Sequence, residues 1–340
     1  MDKEKIFGIE LLRIVATVGV VMNHLGICWI SAYGDKATTS EAALFRTING
    51  FAYWPVPIFM MVTGFLLLSK PDMDYKKVFK YFKRIAILVI VFGTLFSMME
   101  IFFESRTISI GLFFNSVINM IEGKSWTHLW YLYMLLGIYL VLPLLSRYYK
   151  NSPPNTKTPT LMILIFLFTV LLPFLKVNIG IDFPISSVYV GYLLMGHYLM
   201  TENVRKWSAV YLNSVICLLG IFLLFVLVAI SFYLDMPVRF SGYTSPFTVV
   251  QAALIFIIVM RQKTIANRFC NNIIAKNFNR CSLGIYIIHM VWINLFIKAL
   301  HINIMSWNPI FIITSLFVIV GLSWLTVNVM IKIPVLKNYL

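Results

Sequence analysis

The sequence predicts an all-α polytopic integral membrane bundle of about ten transmembrane helices, with both termini cytoplasmic. Three observations lead there. The first is composition: of 340 residues, 60% are hydrophobic and 12% charged, and the mean hydropathy is +0.86. A soluble domain carries roughly 25% charged residues, and disorder, collagen and coiled coil are excluded by the same balance. The second is a succession of long uncharged runs. The third is the placement of Lys and Arg between them. At roughly 20 residues per crossing, ten helices use up the chain, so residues 1–340 read as one membrane-embedded domain with no separate soluble domain.

The uncharged runs are 14–33, 47–69, 85–99, 125–146, 158–175, 183–201, 207–234, 240–260, 282–297 and 299–331. The first and third extend through charged residues, taking in Glu10, Arg13 and Glu100. The last is too long for one crossing, so its helix begins near Pro309. In lipid every backbone N–H and C=O must be satisfied within the segment, which makes each run a helix. The opening MDKEKIFGIELLRIV carries charges early and no small-residue cleavage site, so it reads as a retained first span. The loops 34–47 and 104–124 are the longest outer ones, and lie on the membrane surface or fold back into the bundle.

Orientation follows from charge. With the N-terminus inside, 20 of the 28 Lys and Arg fall in inner segments. Seven fall outside: Lys36, Arg46, Arg106, Lys124, Lys176, Arg239 and Lys298. Arg13 is left within the first span. A bias that alternates loop by loop is the positive-inside signature. It accounts for the net charge of +15 without nucleic acid. The cysteines, Cys28, Cys217, Cys270 and Cys281, have neither metal-ligand nor disulfide-framework spacing. No phosphate-binding glycine loop, dinucleotide fingerprint or nucleophile elbow is present, and no His/Cys cluster suggests a metal.

Polar side chains inside spans are costly and therefore informative. Glu10, Arg13 and His24 share one face of the first helix: the 11-residue step from Arg13 to His24 returns to within about 20° of its start, roughly 16 Å higher. An ion pair and a hydrogen-bonded core histidine would explain them as structure; three such groups on one face of a lipid span point to chemistry. His128 opens the fourth span in WTHLWYLYM, beside Trp130 and Tyr131, which fit an aromatic belt as well as a sugar-binding face. His289 shares a face with Ser282 and Tyr286 by i, i+4, i+7 spacing. Glu100 and Glu104 fit rim solvation. His197 and His301 read as structural or interfacial. The run KKVFKYFKR, Lys76 to Arg84, fits a topogenic signal or anionic headgroups. At the mouth of the span, Lys83 and Arg84 fit the phosphates of a cytoplasmic ligand equally well.

Several segments resemble the acyltransferase family 3 membrane proteins. These are IELLRIVATVGVVMNH with Glu10, Arg13 and His24, PVPIFMMVTGFLL at 55–67, the basic Lys83-Arg84-Ile85, HLWYLYMLLGIYLVLPLL at 128–145 and SLGIYIIH at 282–289. They occur in the family's order across nearly the whole chain. The nearest likeness is to its short bacterial surface-polysaccharide O-acetyltransferase branch. Thr63 stands where Ser is usual, Glu10 where Asp is common, and Tyr81 where the third helix often has a second arginine, leaving Lys80 and Lys83 as the available cations.

The resemblance implies transfer of an acyl group, usually acetyl, from cytoplasmic acyl-CoA to a hydroxyl of a cell-surface or lipid-linked glycan, in the inner membrane of a bacterium. His24 would be general base or transient acyl carrier, with Arg13 and Glu10 orienting the donor or stabilising the thioester oxygen. Lys80, Lys83 and Arg84 would grip donor phosphates. His128, Trp130, Tyr131 and His289 would face the acceptor. A base is needed because a hydroxyl's pKa lies far above neutrality, and imidazole suits the role. From composition alone, a transporter or flippase of a glycan or lipid fits equally well.

Overall fold

The computed structural model describes residues 3–36, 38–68, 70, 73–107, 109–150, 157–177, 184, 186–234, 240–262, 268, 271–303 and 309–340. Arg239 and Lys263, two of the charges that set the expected orientation, lie outside the described residues, as does Cys270. Among the described residues the secondary structure is helical with no strand. Seven helices among the described residues are long and apolar enough to cross a membrane. The chain is an all-α multi-pass membrane protein. It divides into two compact units, residues 1–69 with 153–328, and residues 70–152 with 329–340.

The first unit is built around α1 (Lys3–Tyr33). At 1.5 Å per residue it is about 46 Å long, more than the ~30 Å hydrocarbon core. Around it lie α2 (Thr39–Phe51) and α3 (Pro55–Leu68). A capping box starts α2: Thr38 accepts from the Glu41 N–H, and Glu41 accepts from the Thr38 N–H, satisfying two otherwise orphaned donors. The second run is therefore two helices separated by a turn at 52–54, with Pro55 opening α3, where its missing N–H costs nothing. Asn23 donates to Asn49 Oδ1 at 3.0 Å, while Gly19 lies against Trp54 and Pro55, so this arm runs antiparallel to α1.

In the second half of this unit, α7 spans 157–174 and α8 is Ser187–Leu199. A wide π turn in α7 (Leu167–Leu171) precedes Pro173, whose ring would otherwise clash with the carbonyl four residues back. The expected seventh span, 207–234, is corrected: it is two helices, α9 (Glu202–Tyr211) and α10 (Ser214–Tyr233). Asn213 starts the second by accepting from the Ile216 N–H. Then follow α11 (Pro246–Arg261), α12 (Ile273–Ala299, its last turn π-helical) and α13 (Pro309–Met330).

Close contacts give relative directions. A Cβ on Gly64 would collide with the Leu193 carbonyl oxygen, and one on Gly196 with that of Met61. Each glycine faces the carbonyl three residues before the other, the reciprocal pattern of two parallel helices in close small-residue contact. Thus α3 and α8 are parallel. Gly220 meets Leu254 while Arg261 bonds the Leu212 carbonyl, so α10 and α11 are antiparallel. These directions agree with alternating crossings.

The second unit holds α4 (Tyr75–Ser105), α5 (Ile110–Ile121), α6 (Trp130–Lys150) and α14 (Pro334–Lys337). Tyr81 lies near Tyr139, and Phe96 near Trp126 and His128, so α4 and α6 are antiparallel. The apolar helix α5 fills most of the expected 104–124 loop. Ser109 caps it by accepting from the Leu112 N–H, and Asn119 bonds Ser97 of α4 at 3.1 Å.

Candidate active site

Two of the expected site residues meet across 265 positions of sequence. His24 on α1 and His289 on α12 are hydrogen bonded, Nδ1 to Nε2, at 2.9 Å, with rings tilted by 36°. His289 is fully buried and His24 half-buried. The proton order follows from the far end. His289 Nδ1 lies 3.2 Å from the Ile285 carbonyl, and a carbonyl only accepts. In the neutral pair the His289 proton is therefore on Nδ1, its Nε2 accepts from His24 Nδ1–H, and the basic lone pair falls on His24 Nε2.

The lower part of the same face carries the charge. Arg13 donates to Ser282 Oγ at 3.0 Å, and Ser282 donates to the Asn279 carbonyl at 2.8 Å. Since Arg13 meets Ser282 and His24 meets His289, α1 and α12 run in the same direction. The polar stripe is thus two-sided, with Glu10, Arg13, Thr17 and His24 on α1 and Asn279, Ser282, Tyr286 and His289 on α12. The Tyr286 ring lies 5.9 Å from that of His289. Near its lower end, Glu10 Oε2 and Asn279 Oδ1 are buried acceptors with no hydrogen-bond partner among the described residues. Arg13 thus bonds across to α12 and not to this Glu10 oxygen.

The second unit places the other expected residues. His128 is buried against Phe96 and Trp126, with ring centroids 5.7 and 6.1 Å away. Tyr131 is also buried and packs edge-on to Trp130. Of these three, Trp130 keeps the most exposure. Arg84 spends its fork on the tail: Nε donates to the Tyr339 carbonyl at 2.7 Å and Nη2 to that of Leu340 at 3.1 Å. Lys80 and Lys83 are exposed. Lys80 lines a cavity of about 440 Å³ with Lys70, Met73, Lys77 and Tyr81. There Lys70 Nζ bonds the Tyr81 hydroxyl at 3.3 Å. Sequence reasoning did not single out Lys70, noted Tyr81 only as standing where the family often has an arginine, and read Lys77 as topogenic or headgroup-binding. Their gathering brings Lys70 beside α4, which spacing along one helix does not reveal. Glu100 and Glu104 are exposed, as rim residues are.

Helices of membrane-crossing length that bring together a half-buried arginine and a histidine pair define a multi-pass membrane protein with polar groups between its helices. The chain belongs to acyltransferase family 3: it matches that family's acyltransferase domain over residues 6–328. It is an integral membrane acyltransferase. No curated protein and no solved structure matches it.

Proposed function

We propose that the chain, acting as one acyltransferase domain, moves an acetyl group from cytoplasmic acyl-CoA to a hydroxyl of a cell-surface or lipid-linked glycan, in a bacterial inner membrane. The observation that carries this reading is the His24–His289 pair. It links His24 Nδ1 to His289 Nε2 and ties the opposite end of the relay to a backbone carbonyl, so in this reading proton uptake falls to His24 Nε2. The hydroxyl's proton passes to Nε2 as its oxygen bonds the acyl carbon. Collapse of the tetrahedral intermediate breaks the C–S bond, and the departing thiolate takes the proton from His24.

Arg13 supplies positive charge where the thioester oxygen gains negative charge, and a preorganised donor in a low-dielectric site is effective there. Glu10 and Asn279 supply acceptors suited to the amide N–H groups of the donor's pantetheine arm. For the donor's phosphates, Lys80 with Lys70 and Lys77 is better placed than Arg84, whose fork already holds two carbonyls. Lys83 adds to the same positive field. Trp130 is the aromatic face best suited to a sugar ring, and His289 acts through His24.

The test is incubation of purified protein with radiolabelled acetyl-CoA and candidate glycan acceptors. Label in the glycan, lost in His24→Ala at equal protein level, is the expected result. Glycan movement across the bilayer with no label transfer would replace this reading with transport.

A further inference from the structure

A second polar cavity, unconnected with the histidine pair, lies at the end of the first unit where α1 begins: Met260 beside it packs on Gly8. It has a volume of about 570 Å³ and sits between the end of α8, α9 and the end of α11, within the usual size range of ligand sites. One wall is apolar, made by Phe256, Ile257 and Met260 with Leu199 and Met200. The lining also carries Glu202, Arg205, Lys206 and Arg261. Glu202 and Lys206 neutralise one another at 2.7 Å, which leaves two guanidinium groups. Arg261 bonds the Leu212 carbonyl through Nη1, while its Nη2 is buried with no hydrogen-bond partner among the described residues.

The surroundings identify the source of a ligand. Trp207, Val210 and Tyr211 of α9 are 55%, 73% and 60% exposed, and the Trp207 and Tyr211 rings lie 5.5 Å apart, tilted by 40°. A short amphipathic helix with exposed aromatic residues and a charged face lies in the headgroup layer. Beyond Leu212, α10 presents Val215, Leu218 and Leu219 outward, as a lipid-facing helix does. Arg261 therefore stands where an interfacial helix meets a lipid-facing one. An apolar wall joined to a pair of guanidinium groups matches a phosphate that carries a hydrocarbon chain, because planar guanidinium binds phosphate through two N–H groups.

We infer that this cavity binds an anionic phospholipid, its phosphate between Arg205 and Arg261 and one acyl chain along Phe256, Ile257 and Met260. Acyl-CoA shares the chemistry of phosphate plus chain, and the test separates the two.

Protein purified in neutral detergent is titrated with phosphatidylglycerol and phosphatidylcholine of identical chains, and bound lipid is counted by native mass spectrometry. Phosphatidylglycerol should bind at least tenfold more tightly. Arg205→Gln, at an exposed position that leaves the fold intact, should weaken it about fivefold or more. Ala209→Trp, which fills the cavity, should do the same, and Arg261→Gln should abolish the headgroup preference. Acetyl-CoA should leave bound lipid in place. Equal binding of the two lipids, undiminished binding in both Arg205→Gln and Ala209→Trp, or displacement of lipid by acetyl-CoA would each overturn the assignment.

Discussion

The chemistry proposed for His24 depends on how its imidazole is held, and two acceptors share that task, the Val20 carbonyl and His289 Nε2. His289→Leu removes the second and leaves the Val20 carbonyl alone to orient the ring. Its kcat should fall by about 10²-fold or more, at the lower end of general-base contributions, with KM for acetyl-CoA little changed. His289→Gln offers a side-chain oxygen to the same N–H and should recover part of that loss. Equal defects in the two variants would show that His289 serves packing alone. The face shared by Glu10, Arg13 and His24 is legible from 100° per residue, and so is that of Ser282, Tyr286 and His289. That the two faces meet is not legible, because pairing between α1 and α12 is a tertiary choice that no local period encodes. His289 accordingly reads as an acceptor-facing residue in the sequence and as a partner of His24 in the structure.

At the scale of elements, the closest constraint is the approach of α3 and α8 at Gly64 and Gly196. A methyl group on Gly64 would collide with the Leu193 backbone carbonyl, and backbone cannot swing aside. Gly64→Ala should cost about 3 kcal/mol, the upper part of the range for overpacking, read as a lowered thermal midpoint in detergent. An unchanged midpoint would mean that the two helices are not packed this closely. On α4, Arg84 ties down the segment after α14 through two carbonyls. Arg84→Ala should expose that segment, so that limited proteolysis trims it faster while acetyl-CoA affinity changes less than in Lys80→Ala. A larger loss of affinity in Arg84→Ala would return the phosphates to Arg84. Hydropathy identifies the runs well but not the break between α9 and α10. Its local signals are Asn213, which caps α10, and the charged start of α9, and an average over apolar residues hides both. Similarly, α5 is apolar enough to be seen, yet its cap at Ser109 is what separates it from α4.

For the whole molecule, the alternation of basic loops and the relative helix directions agree: α1 is antiparallel to the α2–α3 arm and parallel to α12, and α3 is parallel to α8. In a cysteine-free background, Lys298→Cys should react with a membrane-impermeant thiol reagent in intact cells, and Lys77→Cys only after lysis. Labelling at position 77 from outside would invert the orientation and move the proposed donor site to the wrong face. Composition suffices for an all-α membrane bundle, because lipid acts on each apolar segment separately. The division into two compact units, by contrast, joins residues 70–152 to 329–340 across most of the chain and has no signature in local pattern. The most direct test of the account is the acetyl-transfer rate of purified His24→Ala beside wild type, with labelled acetyl-CoA and a glycan acceptor at matched, folded protein. The account predicts a loss of 10²-fold or more with acetyl-CoA still bound. A variant that transfers acetyl at the wild-type rate would contradict it.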